Sequence, residues 1–260
     1  LIEGTASSET SLEHELMVLV RKNFEQPALL EPSDLQPVRK IVGECAIDYT
    51  LIIGGFHFIN RIADLLDVSP EALPRPLRKF EFLRRLTVRM ASFMMARMDL
   101  DNREFQTSYE DALRDLTPVF KQALGKDPGD EFESVRPRPK LIEVFQLSME
   151  ERDVRSSLDH ETVARVHRTV EKALPRGIDE TEGFHERPGD PVEAFAFVGT
   201  RYAYRTSSAM INALRQEGFA DEGIMDLAIA VAEANQWARI HRLLGLKPEL
   251  FFFQSDRPGI

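Results

Sequence analysis

Apolar positions along this chain recur every three to four residues, the spacing that gathers them on one face of an α-helix. No stretch alternates residue by residue between turn signals, as a half-buried strand of a hairpin would. The pattern predicts an all-α protein. Residues 1–12 are small and polar and read as a loose arm; a first helix is expected over Leu12–Phe24. Three prolines between Glu25 and Pro37 place a loop or a single turn there. One helix is then expected from about Leu35 or Val38 to Leu66, with Gly54 and Gly55 at its middle. Such a pair costs roughly 1–2 kcal/mol relative to alanine, and either bends the helix or admits a close neighbour. Ser69, Pro70 and Glu71 offer a helix start, and Leu77 to Met98 carries apolar residues at helical spacing beside a stripe of arginines. That stripe reads as a solvated face paired with acidic neighbours, or as a site for an acidic partner.

Farther on, residues 104–124 read as helical, with Pro118 near a break. Residues 126–140, rich in proline and mixed charge, read as a linker between an N-terminal half (1–125) and a C-terminal half (141–260), which can also pack as one domain. Asp159 caps a helix running to about Leu174. Asp190, Pro191 and Glu193 form the clearest start signal in the chain, for a helix expected to run to Gly218. Asp221 caps the next helix, which should end at Gly245.

Two of these stretches share a pattern. Residues 44–71 and 222–249, overlaid without a gap, coincide at Glu44/Glu222, Asp48/Asp226, Arg61/Arg239, Ile62/Ile240, Leu65/Leu243, Leu66/Leu244, Pro70/Pro248 and Glu71/Glu249. Unrelated stretches of this length would share roughly one or two residues, so the chain reads as carrying an internal repeat.

Composition narrows the function without naming it. The formal charge of −10 argues against nucleic acid or an anionic membrane as the main partner. No uninterrupted apolar run reaches the length of a membrane span. The single cysteine, Cys45, cannot form an internal disulfide, and fits a reducing, cytoplasmic setting. No phosphate-binding glycine loop, nucleophile elbow or metal-ligand spacing occurs, so no cofactor or metal is indicated. The apolar run Leu250–Phe253 would be costly to expose, which points to self-packing or to a subunit contact in a homo-oligomer, most simply a dimer.

Gly218-Phe219-Ala220-Asp221-Glu222, followed by an apolar helix closing on Asn235, Arg239, Ile240, Leu244 and Gly245, resembles the alkylhydroperoxidase D-like / carboxymuconolactone decarboxylase superfamily. Residues 56–63 resemble the corresponding end of another unit. The resemblance implies a duplicated all-α bundle. Redox members of that superfamily carry a Cys-x-x-Cys-x-x-x-His motif, in which one thiolate attacks the peroxide and the other resolves the sulfenic acid. Here those positions are Ala203, Thr206 and Met210, so dithiol chemistry is refused.

The remaining candidates serve proton transfer on, or binding of, a small organic molecule. Glu233, Trp237 and His241 share one helix face at four-residue spacing. With Glu193, Tyr202 and Tyr204 they are expected to line a pocket, Glu233 and His241 as an acid/base pair. The competing reading pairs Glu233 with Arg239 or Arg201, leaves Trp237 to the core and puts His241 on the surface. His57, on an apolar stretch, is either a third catalytic candidate or a core histidine. Arg61 and Arg239 are candidates to bind a substrate carboxylate, or the first-turn carboxylates of the two repeat helices. Two alternatives stand beside this: a peroxidase-related redox protein using Cys45, and a non-catalytic ligand-binding or oligomerisation module.

Overall fold

The computed structural model describes residues 3–66, 108–124, 127–143, 145–146, 157–177 and 188–247. All regular structure among them is helical, as the periodicity predicts. The helices are α1 (Glu3–Glu25), α2 (Pro32–Val42), α3 (Ala46–Leu65), α4 (Tyr109–Leu124), α5 (His160–Ala173), α6 (Pro191–Arg201), α7 (Ser208–Gln216) and α8 (Asp221–Leu244). The basic stripe over 75–97, the helix start at Ser69 and the Leu250–Phe253 tail lie outside the described residues.

Helix α8 is the axis of the fold. It packs along α3, and α5 and α6 cover another of its sides. The sequence stretches that resemble each other are thus the two helices in most extensive contact. Their approach is close because Gly54 presents no side chain: a Cβ there would lie 2.9 Å from Cδ1 of Ile240. Gly55 has nothing within 4 Å of the equivalent point, so the two glycines differ in role. Helix α8 also divides the interior. Trp237, Ile240 and Leu243 join Leu116, Phe120, Phe132 and Phe145 in one apolar cluster; Leu227, Val231 and Ala234 join Val166, Val170, Phe195 and Leu214 in the other.

Two of the three aspartates expected to cap helices do so; Asp221 does not, because it lies within the first turn of α8, with Ala220 before it and no side-chain cap. Asp159 accepts from the Thr162 amide and Asp190 from the Glu193 amide, each satisfying a first-turn donor. Gly245, in the left-handed conformation, closes α8.

Several boundaries differ from the sequence reading. The first helix starts at Glu3, so residues 3–12 are not an arm. The proline-rich 25–37 region is a short 3₁₀ turn, Pro27–Leu29, followed by α2. Pro27 and Pro32 each stand at a first-turn position, where a missing N–H costs nothing, and only Pro37 is internal. Lys22 on α1 holds Asp34, which also accepts from the Glu31 amide, and so locks the start of α2. The expected single helix from 35 or 38 to 66 is broken at Gly43, whose φ of +61° suits glycine, and Gly43–Cys45 form a 3₁₀ turn before α3. The expected linker carries a 3₁₀ turn at Gly129–Val135 whose Phe132 and Val135 are buried; its apolar residues outweigh its prolines. Finally, the helix opened by Asp190 stops at Arg201. Ser207 caps a separate α7 by accepting from the Met210 amide, the local bond that lets serine compete with a continuing helix.

Candidate functional site

Helices α1 and α3 form the walls of an open cavity of about 1170 Å³, floored by the C-terminal end of α6 and by Arg239 of α8. Its walls are mostly apolar: Met17, Val20 and Phe24 from α1, and Ile52, Ile53 and Phe56 from α3. Polar groups gather at the floor, namely His57, Arg61, Thr200 and Arg239, with Tyr202 and Tyr204 beside them.

Each floor residue has a reason to be where it is. His57 and Arg61 are four residues apart and share the face of α3 that carries Tyr49 and Ile53. The Arg61 Nη1 donates to the Gly199 carbonyl, one of the last carbonyls of α6, where a cation also meets the favourable end of the helix dipole. Arg239 is 1% exposed and is held by its own helix: Nη1 donates to the Asn235 backbone carbonyl at 2.7 Å and to Asn235 Oδ1 at 3.2 Å. Asn235 is fixed in turn, its Nδ2 donating to the Thr200 hydroxyl at 3.1 Å and to the Val231 carbonyl. The Nε atoms of both arginines are buried without a partner. Among the described residues neither arginine pairs with a carboxylate within ion-pair distance.

The electrostatics follow from two cations sharing a poorly hydrated site. Burial lowers the Arg239 pKa well below its ordinary value, and the charges of Arg61 and Arg242 act in the same direction against Glu171. Burial pulls Arg61 down to about 10, with Asp64 acting the other way. His57 is pushed down to about 2 by burial first, then by Arg239 and Arg61, so it is a neutral imidazole at physiological pH. Its ring stacks on Phe24 with centroids 6.4 Å apart.

The cavity therefore gathers five of the residues singled out from sequence: His57, Arg61, Tyr202, Tyr204 and Arg239. It does not gather Glu233, Trp237, His241 or Glu193. The reason is angular. Successive residues of an α-helix turn by about 100°, so Arg239 points roughly opposite to both Trp237 and His241, two positions away on either side. The Glu233–Trp237–His241 stripe is real, but it faces away from the floor. Trp237 is core, its ring edge-on to Phe145 at 5.5 Å. His241 is buried rather than superficial, and its Nε2 lies 3.1 Å from Glu171 of α5. Arg242 grips the same carboxylate through two nitrogens. Burial raises the Glu171 pKa, but the hydrogen bonds from His241 and Arg242, and their charges, overcome it and bring it down to about 2. This cluster ties α5 to α8 outside the cavity. Glu193 stands at the opposite end of α6 from the floor, roughly 10 Å along the axis from Thr200.

Asn235 and Thr200 were not singled out as site residues from sequence, although an asparagine four residues before Arg239 in an alanine-rich helix was the available signal. Glu44 and Asp48 have partners outside the cavity, Arg39 and Arg138, and Asp226 accepts from the Ser157 amide and hydroxyl. Cys45 is exposed, with Arg138 Nη2 3.0 Å from its sulfur, and does not line the cavity. Among the described residues no group of three or more His, Cys, Asp or Glu side chains is arranged to hold a metal. Over residues 32–65 the chain is long and apolar enough, by length and composition alone, to cross a membrane. Comparison with models of known families, with curated proteins and with solved structures finds no match to this chain.

Proposed function

We propose that the cavity binds a small organic acid and that His57 is its acid/base group, in a cysteine-free protein related to the alkylhydroperoxidase D-like / carboxymuconolactone decarboxylase superfamily. One observation carries the reading: Arg61, Arg239 and a neutral His57 meet at the floor of one cavity, and neither arginine has a carboxylate partner among the described residues. Arg239 is buried and Arg61 half-buried, with Asp64 the carboxylate of the cavity lining that acts on Arg61 from beyond ion-pair distance. A cation so placed without a paired counter-ion is costly, and an incoming carboxylate relieves both. The same event prepares proton transfer. Burial first, and then the charges of the two arginines, make His57 too weak a base; a bound anion offsets the arginines' share and raises the imidazole pKa toward the range where acid/base catalysis works. The family relationship rests on the residues quoted above, with Ala203 and Thr206 at the thiol positions.

The test follows the His57 ring by NMR, assigned with His57→Gln, while a panel of aliphatic and aromatic carboxylates is added. We expect no protonation of His57 above pH 4 in the free protein, and a pKa raised toward neutrality by at least one acid. A His57 that titrates near 6.5 without ligand, or one that no acid moves, overturns the proposal. A histidine that moves while no acid in the panel is turned over selects the non-catalytic binding module over the enzyme.

A second reading, redox chemistry at Cys45, is favoured by the exposed sulfur and by Arg138 Nη2 3.0 Å from it. Native Cys45 that resists a small alkylating agent at neutral pH removes it.

A further inference from the structure

Resting on the organic-acid reading, we propose that the ligand is an amphiphilic monocarboxylate. Its carboxylate sits between Arg61 and Arg239, and its hydrocarbon tail lies along the groove between α1 and α3. The headgroup is set by the donors that remain. Each arginine has committed Nη1 to the protein, Arg61 to Gly199 and Arg239 to Asn235; among the described residues no acceptor takes Nη2 of either, while the Nε of each is buried and unpartnered. Two arginines so placed suit a planar two-oxygen acceptor, which guanidinium N–H groups match in geometry and charge. Neutral His57 adds one further N–H.

The tail is set by the walls. Phe24 is 71% exposed and Phe56 66%, and Met17, Val18, Val20 and Ile52 lie in the same groove with large exposed areas of their own. Exposed apolar side chains scattered singly need no explanation, but six lining one groove that leads to one buried and one half-buried cation describe an amphiphile in outline. Size agrees. Sites for drug-sized ligands run about 300–1,000 Å³, and this cavity, at about 1170 Å³, would leave a short acid without contacts on most sides. The protein's net charge of −10 sets the arginine pair apart as a local exception and disfavours an anionic membrane as the occupant.

The experiment is a calorimetric titration of the full chain with dodecanoate below its micelle-forming concentration, beside hexanoate and dodecanol. Full burial of a methylene tightens binding about fourfold, so hexanoate should bind at least tenfold more weakly than dodecanoate. Dodecanol, which lacks the charge, should lose at least tenfold too. Arg239→Gln should weaken dodecanoate tenfold or more. Because that variant touches a buried network, Phe56→Ser, at an exposed position, is the control that leaves the fold intact, and it should weaken dodecanoate several-fold with less effect on hexanoate. Hexanoate binding as tightly as dodecanoate, with Arg239→Gln weakening both, refutes the amphiphile while leaving the organic-acid reading standing. Failure of every acid refutes both. Dodecanol binding as tightly as dodecanoate refutes the headgroup site. Dimers that Phe56→Ser dissociates and dodecanoate does not would make the groove a subunit interface. Co-sedimentation with phosphatidylglycerol vesicles without binding of free dodecanoate would make it a membrane face. Either result overturns the proposal.

Discussion

Replacing Arg239 by methionine should remove acid binding yet leave the free protein as stable as before, or more stable by up to about 2 kcal/mol. The magnitude follows from what the side chain does in the fold. It is 1% exposed and lies among charges that raise its cost, Arg61 and Arg242, with only Glu171 acting in its favour. On removal, Asn235 Oδ1 loses a donor, whereas the Asn235 carbonyl belongs to α8 and Asn235 Nδ2 keeps Thr200 and Val231. A hydrogen bond from a charged donor is worth about 1.5–3 kcal/mol. Against that, replacing buried ionic groups with well-packed apolar residues is neutral or stabilising by about 1–4 kcal/mol. Methionine, unbranched like the arginine stem, can fill the space. The two ranges overlap around zero, with the balance on the stabilising side because the two neighbouring arginines no longer face a third charge.

Urea unfolding followed by circular dichroism measures this directly, provided the m-value is unchanged. A loss of 3 kcal/mol or more would mean that Arg239 is one half of a buried pair that holds the fold together, the usual result of breaking such a pair. Arg239 would then be a structural cation and not one held ready for a ligand carboxylate. The ligand side of the same experiment has its own sign. At a carboxylate concentration of 100 times Kd the unsubstituted protein should gain about 2.7 kcal/mol, and the Arg239→Met protein none.

Two further outcomes check the electrostatics and the packing. The Glu171 carboxyl is held at about 2 in the folded protein against an ordinary 4.5. Its contribution of about 3 kcal/mol is therefore complete above pH 4.5 and lost as pH falls from there through 2. Glu171→Gln should destabilise by about that amount at pH 7, and the gap should close toward pH 2; a gap constant with pH refutes the ion cluster. The adjacent glycines of α3 should respond with opposite signs. Gly55→Ala gains up to about 1 kcal/mol of helix propensity in open space. Gly54→Val forces a branched Cβ against buried Ile240 and should cost about 1–3 kcal/mol. Equal effects in thermal denaturation would contradict the α3–α8 contact.

What the sequence disclosed and what it withheld divide along a physical line. Helices α5 and α8 and the caps at Asp159 and Asp190 were legible because each depends on residues within a few positions of itself. The breaks at Gly43 and Tyr202 were not, since apolar periodicity runs through both and only the local alternatives of glycine and Ser207 interrupt the backbone. The site shows the same division more sharply. Reasoning along a single helix selected Glu233, Trp237 and His241, a correctly inferred common face, yet which face of α8 meets a cavity is decided by what packs on the others. Phe145 covers Trp237, Glu171 takes His241, and α3 with the end of α6 leaves space at Arg239. The similarity of residues 44–71 and 222–249 held the better clue. It matches Arg61 with Arg239, and the packing of α3 on α8 brings both matched positions to one floor. A polar residue standing at matched positions of two apolar helices was thus a stronger pointer to the site than an acid/base pair spaced along one of them.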